Sequence, residues 1–187
     1  MDRYWLLTWT TYGTWLPGDQ RGFVSQVDDG RGGKITRNRP QTPYDADWEL
    51  LRRSMHASLK QAPIRLNHRQ AEVVLAQFHQ TAQLRQWQLI AAAAMANHCH
   101  VVVGVIGDPD PSQILRDFKS YASRSLNQNW PRPTAGTWWT ESGSKRKLKD
   151  ELAILTAAAY VRDQEFPLAL WLLAEFMTEI GPPRRRA

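Results

Sequence analysis

The chain has 187 residues, enough for one domain with extensions around a full hydrophobic core, and its net charge of +6 excludes a highly acidic disordered chain. Its 42% apolar content, with 11 Gly and 11 Pro, excludes collagen-like and low-complexity classes, and its single cysteine excludes a disulfide framework and a zinc finger or ribbon. No run of about 18 uncharged apolar residues occurs, so we expect a soluble cytoplasmic protein with no membrane partner.

The N-terminal third of the sequence predicts one strand, one irregular stretch and one helix. Tyr4 to Thr11 is rich in β-branched and aromatic residues, with apolar residues on both alternating sets of positions, which predicts a strand that is buried on both faces or covered by the next segment. Residues 18–43 are rich in Gly, Asp, Arg and Pro, so we expect a long irregular insertion there. A first helix is predicted over Asp45 to Lys60.

The middle of the chain predicts a helix followed by a hairpin. Asn67 is a good N-cap with Gln70 three residues later, and apolar residues then recur at helical spacing. Two apolar runs, Trp87 to Ala94 and His98 to Ile106, are separated by a brief turn, which indicates a β-hairpin. The buried stripe of this helix is predicted to be Ala71, Val74, Leu75, Phe78 and Ala82.

A third helix follows, which we predict to be capped by Ser112 and to turn Ile114, Leu115, Phe118, Ala122 and Leu126 toward the core. Gly136 to Thr140 is predicted as a strand and Lys145 to Lys149 as a basic loop.

The C-terminal part predicts two further helices. Asp150 begins a fourth helix that runs to about Gln164, and a last apolar helix is predicted over Leu168 to Ile180, before a frayed basic tail. The order of elements predicts an α+β fold with helices packed on a mostly antiparallel sheet.

The excess positive charge is concentrated in one segment. Residues 112–149 contain eight basic and two acidic residues, a net charge of +6, whereas the remainder of the chain is balanced. The segment also contains Tyr121, Trp130, Trp138 and Trp139. Cations neutralise phosphates and rings stack unpaired bases, so the segment suits single-stranded nucleic acid; a solvated helix face with core tryptophans is the alternative.

The triplet His98-Cys99-His100 is the first candidate site. Side chains at positions i and i+2 of a strand point to the same face, which brings the two imidazoles together and turns Cys99 toward the core. Two imidazoles form half of a divalent-metal site, although a strand can also carry histidines on its solvent face.

The second candidate is Tyr160 with Gln164, which are neighbours on one helix face. Alanines precede Tyr160 and leave room for a partner. A phenol titrates near ~10 and usually only packs, but a metal that binds a target phosphate would let a tyrosine held in line act as a nucleophile. Tyr121 is the competing nucleophile, but it has no amide four residues later.

These motifs resemble those of single-tyrosine HUH transposases of the IS200/IS605 type, and within them the REP-associated tyrosine transposase-like group. His98-Cys99-His100 matches the HUH motif, and the preceding Met95-Ala96-Asn97 stands where the family often has Met-Pro-Asp or Met-Pro-Asn. Tyr160 to Gln164 matches the nucleophile helix, and Thr10 to Gly22 also looks like a segment common in this group. The resemblance departs at Ala96, in the 18–43 insertion and after Phe166.

The resemblance implies a ferredoxin-like antiparallel sheet that carries the histidines, with the tyrosine helix beside it. The transposase-like domain would span residues 1–166, and 167–187 would form a C-terminal helix and basic tail. Tyr160 would attack a phosphodiester of single-stranded DNA, retain the 5′ phosphate and release a 3′ hydroxyl, and rejoining would reverse that step. One Mg²⁺ or Mn²⁺ would be held by His98, His100 and Gln164, and a mixed nitrogen and oxygen set favours Mn²⁺ as the tighter ion.

The partner implied is single-stranded, hairpin-forming DNA, which would associate the protein with the nucleoid, as a monomer or a homodimer. Trp138 and Trp139 are expected either to stack bases or to pack in the core. Phosphate contacts are expected from Arg116, Lys119, Arg124, Lys145, Arg146, Lys147, Lys149 and Arg162.

Three other functions fit the same motifs. The first is a domesticated module that binds a DNA or RNA hairpin without cutting it. The second is a metal phosphodiesterase in which water attacks and Tyr160 only packs. The third is a relaxase or replication initiator of the broader HUH class, although those usually need further histidine ligands and larger partner domains.

Overall fold

The computed structural model describes residues 1–16, 25–28, 34–37 and 49–181. In chain order the elements are β1 (Arg3–Thr10), β2 (Ser25–Asp28), β3 (Lys34–Arg37), α1 (Glu49–Ala57), α2 (His68–Arg85), β4 (Gln88–Ala94), β5 (His98–Val105), α3 (Pro111–Asn129), β6 (Ser144–Leu148), α4 (Glu151–Arg162), β7 (Ala169–Leu172) and α5 (Ala174–Glu179).

The main sheet has five strands in the order β6-β1-β5-β4-β7, and every neighbouring pair is antiparallel. Taken in chain order, β1-α2-β4-β5-α3-β6 gives the sheet order and connections of a ferredoxin-like fold, with β7 added at the β4 edge. The predicted α+β class and ferredoxin-like sheet are therefore confirmed.

Both faces of the sheet are covered, which explains why its central strands are apolar at nearly every position. Trp5, Leu7 and Trp9 of β1 contribute to a core shared with α2 and α3. Leu6 lies on the opposite face, in a second core shared with α4. Within the described ranges, no helix combines the length and apolar character needed to cross a membrane.

Several local predictions are confirmed in detail. Asn67 caps α2 through a reciprocal box, because its side chain accepts from the Gln70 amide at 2.9 Å and its own amide donates to the Gln70 side chain at 3.0 Å. Asp150 caps α4 by accepting from the Ala153 amide at 2.8 Å. The buried residues of α3 are the five that the periodicity predicts.

The cap of α3 is a correction. Asp110, not Ser112, is the N-cap, and its carboxylate accepts from the Ser112 amide at 2.8 Å. Pro111 occupies the first helical position, where its missing N–H costs nothing.

The basic segment 145–149 is a strand for most of its length and not a loop. Lys145, Arg146 and Lys147 pair with Leu7, Leu6 and Trp5 of β1, as part of the edge strand β6. Charged side chains are typical of an edge strand because they discourage pairing with another chain. Gly143 leads into β6, and a Cβ there would lie 2.7 Å from the Thr8 carbonyl oxygen, so this close approach requires glycine.

Other segments also differ from their predictions. The predicted strand 136–140 forms only an isolated bridge between Trp139 and Thr11. The predicted helix 168–180 is replaced by β7 and the short α5, because the edge of β4 offers backbone groups with which β7 pairs.

The predicted irregular insertion 18–43 contains the antiparallel pair β2–β3, and its other residues lie outside the described ones. The first predicted helix is observed as α1, and residues 45–48 and the basic tail from 182 lie outside the described residues.

Candidate active site

A cavity of about 580 Å³ opens between the main sheet and α4. Both histidines of the triplet and the tyrosine of α4 line it, so the structure brings together residues about 60 positions apart in the sequence. Its walls are formed by Leu6, Thr8, Trp15, Asn97, His98, His100, Ser144, Arg146, Ala153, Thr156, Ala157 and Tyr160.

The two imidazoles lie side by side on β5, with ring centroids 4.7 Å apart. His98 Nδ1 lies 2.8 Å from Asn97 Oδ1, an oxygen that can only accept, so Nδ1 carries the proton. His100 Nδ1 lies 2.7 Å from Thr8 Oγ1 on β1. These contacts orient both rings in the way that outer partners orient metal-binding histidines.

Asn97 also fixes the turn that precedes His98. Its carbonyl oxygen accepts from the Thr11 amide at 2.9 Å and from the Thr14 hydroxyl at 3.0 Å. The β4–β5 turn is therefore tied to the end of β1, which limits movement of His98.

His100 is 3% exposed, and burial is the main reason that its pKa falls to about 4. The neighbouring His98 lowers that pKa further, whereas an interaction with the Gln164 side chain raises it. His100 is thus neutral at pH 7. Among the described residues, its buried Nε2 has no hydrogen-bond partner.

The depressed pKa predicts how stability depends on pH. In the unfolded chain His100 titrates near 6.5 and in the fold near about 4, so the unfolded chain binds more protons between these values. The free energy of unfolding should therefore fall as pH falls through this window, by on the order of 2 to 3 kcal/mol. Urea unfolding of the metal-free protein would measure it. His100→Gln should flatten the dependence, and an unchanged slope in that variant would contradict the assignment.

The tyrosine approaches from α4. The Tyr160 ring centroid is 5.2 Å from that of His100, and the side chain is 49% exposed. Gln164 lies one turn later, and its amide donates to the Tyr160 carbonyl at 3.0 Å. Gln164 lines a neighbouring cavity with Tyr160, and its side chain interacts with His100. Ala157 is small and sits one turn before Tyr160, which leaves the cavity open.

The residues present fit a divalent metal. The buried Nε2 of His100 has no hydrogen-bond partner among the described residues, so it can act as a nitrogen ligand. The imidazole of His98 lies beside it, and the Gln164 side chain can supply an amide oxygen. Such a mixed set suits Mn²⁺, and Mg²⁺ when a phosphate adds oxygens. Among the described residues no group of three or more His, Cys, Asp and Glu is close enough to hold a metal, so this set depends on Gln164.

Burial raises the pKa of the Cys99 thiol on the opposite face, which keeps it a neutral core residue.

The basic cluster is divided between the two faces of β6. Ser144 and Arg146 lie opposite Thr8 and Leu6 in register and line the cavity of the histidines. Lys147 points to the other face, with its ammonium 5.9 Å from the Trp5 ring centroid.

The other two lysines of the basic cluster line separate cavities. Lys145 lines a cavity of about 810 Å³ with Arg116, and Lys149 lines a third cavity with Asp150. One sequence motif thus serves different surfaces.

Two of the residues that are predicted to contact phosphates form polar contacts within the protein. Lys119 Nζ donates to the carbonyls of Thr140, Glu141 and Ser142, and burial lowers its pKa to about 8. It anchors this loop, and its predicted contact with DNA stays a prediction.

Arg162 pairs with Asp163 at 2.7 Å and donates to the carbonyl of Gly181, so it ties α4 to the segment after α5. Its predicted contact with DNA stays a prediction. Arg124 remains exposed, with its guanidinium 5.0 Å from the Tyr121 ring centroid.

The two tryptophans predicted as stacking platforms are core residues. Trp138 and Trp139 are 5% and 2% exposed. Their indole N–H groups donate to Asn127 Oδ1 at 2.8 Å and to the Lys119 carbonyl at 3.0 Å. Rings held in this way cannot receive a base, and the stacking alternative is wrong for both.

The sequence analysis did not predict that Thr8 and Trp15 line the cavity of the histidines, and it gave Asn97 no role beyond its place in the motif. The position of Asn97 directly before the first histidine could have indicated that it contacts that histidine. The position of Thr8 could be found only from the register that pairs it with His100 across β1 and β5.

One comparison with known proteins agrees with the motifs. A family model described as "Transposase IS200 like" matches residues 59–164, more than half of the chain. A solved structure described as "Structure of the REP associates tyrosine transposase bound to a REP hairpin" is similar, with a TM-score of 0.45 and 11% sequence identity over 85% of this chain and 64% of that chain. The chain thus spans less than two thirds of that relative. No curated protein matches the sequence.

Proposed function

The chain belongs to the IS200-like transposase family, and from that premise we propose that it cleaves and rejoins single-stranded DNA through a covalent link to Tyr160. The observation that supports this most directly is the contact between the Tyr160 and His100 rings at 5.2 Å within one chain. The proposed substrate is a hairpin-forming or palindromic site, and such a substrate implies work in the cytoplasm at the nucleoid.

In the proposed reaction the Tyr160 oxygen attacks the phosphorus of a phosphodiester. The bond to the 3′ oxygen breaks, the 5′ phosphate stays on the tyrosine, and the phenol proton leaves while the released 3′ oxygen gains one. One ester replaces another, so rejoining to a 3′ hydroxyl needs no external energy source. A bound Mn²⁺ or Mg²⁺, held by His98, His100 and Gln164, would withdraw charge from the phosphate.

The protein's own residues contribute positioning. Thr8 and Asn97 orient the imidazoles, and the Gln164 side chain interacts with His100. Half-exposure of Tyr160 lets a strand reach the phenol without opening the core. His98, His100, Tyr160 and Gln164 lie close together within one chain.

The test is incubation with a labelled single-stranded hairpin oligonucleotide and Mn²⁺, followed by denaturing electrophoresis. We expect a protein-linked DNA band and a released fragment that ends in a 3′ hydroxyl. Cleavage without any protein-linked band would favour attack by water. Binding of the same oligonucleotide without cleavage would favour a non-cutting hairpin-binding module.

The division of the basic cluster predicts unequal roles for its members. Arg146 is the only lysine or arginine among the described residues that line the catalytic cavity, so we expect it to bind the phosphate that reacts. Arg146→Gln should slow single-turnover cleavage on the order of 10²-fold, the loss expected for one donor to a transition-state charge. Lys147→Gln, on the other face, is the matched control and should mainly weaken binding at low salt. Equal effects of the two changes would contradict this assignment.

A further inference from the structure

Trp15 is a large aromatic side chain on the wall of the catalytic cavity. It is 39% exposed and lines the same space as His98, His100 and Tyr160. The indole therefore places an aromatic surface in the cavity that also holds the groups proposed to react.

The backbone that carries Trp15 is fixed to the β4–β5 hairpin, which carries His98 and His100. The Thr14 hydroxyl donates to the carbonyls of Thr11 at 2.9 Å and Asn97 at 3.0 Å. Gly13 has a φ of 74°, and a Cβ there would lie 3.1 Å from the Pro63 Cα, so this tight turn requires glycine. The loop is therefore positioned by the same Asn97 that orients His98.

The chemistry around the ring suits a nucleotide. Arg146 places a cation in the same cavity, and the histidines and Tyr160 mark where the phosphate would react. An indole face stacks an unpaired base of any identity, and a cation beside it attracts the adjoining phosphate. A double-stranded site would hide the faces of its bases, so this arrangement favours a single strand.

We propose that Trp15 stacks an unpaired base next to the phosphate that Tyr160 attacks. The ring then has the stacking role that the sequence analysis gives as one alternative for Trp138 and Trp139, both of which are buried. This proposal rests on the proposed function for its substrate, single-stranded DNA. It assigns to Trp15 the positioning of the strand in the cavity, not a part in bond breaking.

The test is a double-mutant cycle that combines substitutions of Trp15 with removal of single bases from the DNA. Binding of a single-stranded hairpin oligonucleotide is measured in EDTA, so that no cleavage interferes, while one flanking base at a time is replaced by an abasic site. For the unaltered protein, removal of one particular base should weaken binding about tenfold, within the range for base-aromatic stacking. In Trp15→Ala the same base should matter less than about twofold, because its partner is gone.

Variants keep the outcome interpretable. Trp15→Phe should restore the dependence on that base, whereas Trp15→Leu, which fills similar space without an aromatic face, should not. Leu84→Ala, at an exposed apolar residue of α2, is the control and should behave as the unaltered protein. An equal abasic penalty with and without the indole, or full dependence in Trp15→Leu, would overturn the proposal. Formation of the tyrosine adduct is a separate readout, so failure of the proposed function and failure of stacking are distinguishable.

Discussion

Tyr160→Phe is expected to abolish the covalent DNA adduct, with a loss on the order of 10³-fold or more in the cleavage rate. The change removes the attacking oxygen and retains the ring that contacts His100. The side chain is 49% exposed, so the fold should tolerate the change. Binding of hairpin DNA should stay within about twofold, because one hydroxyl is removed and no phosphate contact is lost. The measurement is a denaturing gel of single-turnover reactions in Mn²⁺.

Tyr121→Phe is the matched control. Tyr121 belongs to α3, which packs on the opposite face of the sheet from the histidines, and its ring centroid lies 5.0 Å from the Arg124 guanidinium. We expect this variant to form the adduct at the normal rate. An adduct that persists in Tyr160→Phe and disappears in Tyr121→Phe would reverse the assignment of the nucleophile.

His100→Ala is expected to remove cleavage while hairpin binding remains within about threefold. The imidazole is a proposed metal ligand with an orphaned Nε2, and loss of one such ligand should reduce metal-dependent cleavage on the order of 10²-fold or more. The hairpin would be bound by other surfaces, so its affinity in EDTA should change little. Cleavage is measured across a Mn²⁺ titration, and binding in EDTA.

Because His100 is buried, two further variants separate chemistry from folding. His98→Ala removes the other, more exposed imidazole and should lose cleavage in the same way. Cys99→Ala removes a buried side chain between them that faces the α2–α3 core, and it should keep cleavage. Loss of cleavage in Cys99→Ala at an equal loss of stability would mean that the histidine variants report folding only.

The sequence was sufficient for elements whose pattern is local. The cap at Asn67, the apolar stripe of α3 and the hairpin that carries His98 and His100 all follow from spacing along one element. Edge strands were missed because their stability comes from pairing with neighbours. β6 is dominated by lysine and arginine and β7 follows a helix-like apolar pattern, and both form strands because the sheet offers backbone partners.

The candidate site shows the same division. Strand alternation puts the histidines on one face, and helical spacing puts Tyr160 beside Gln164, so both pairs could be predicted. Which basic and aromatic residues join them depends on the register across β6, β1 and β5. That register brings Arg146 into the cavity and leaves Lys147 outside it, a distinction that composition cannot make.

Peptide mapping of the trapped adduct tests the claim that Tyr160 attacks DNA beside His98 and His100. The protein is reacted with a single-stranded hairpin oligonucleotide in Mn²⁺, digested with nuclease and protease, and analysed by mass spectrometry. We predict a phosphate-linked nucleotide remnant on the peptide that contains Tyr160. A remnant on Tyr121, or cleaved DNA whose 5′ phosphate is free of protein, would contradict the claim.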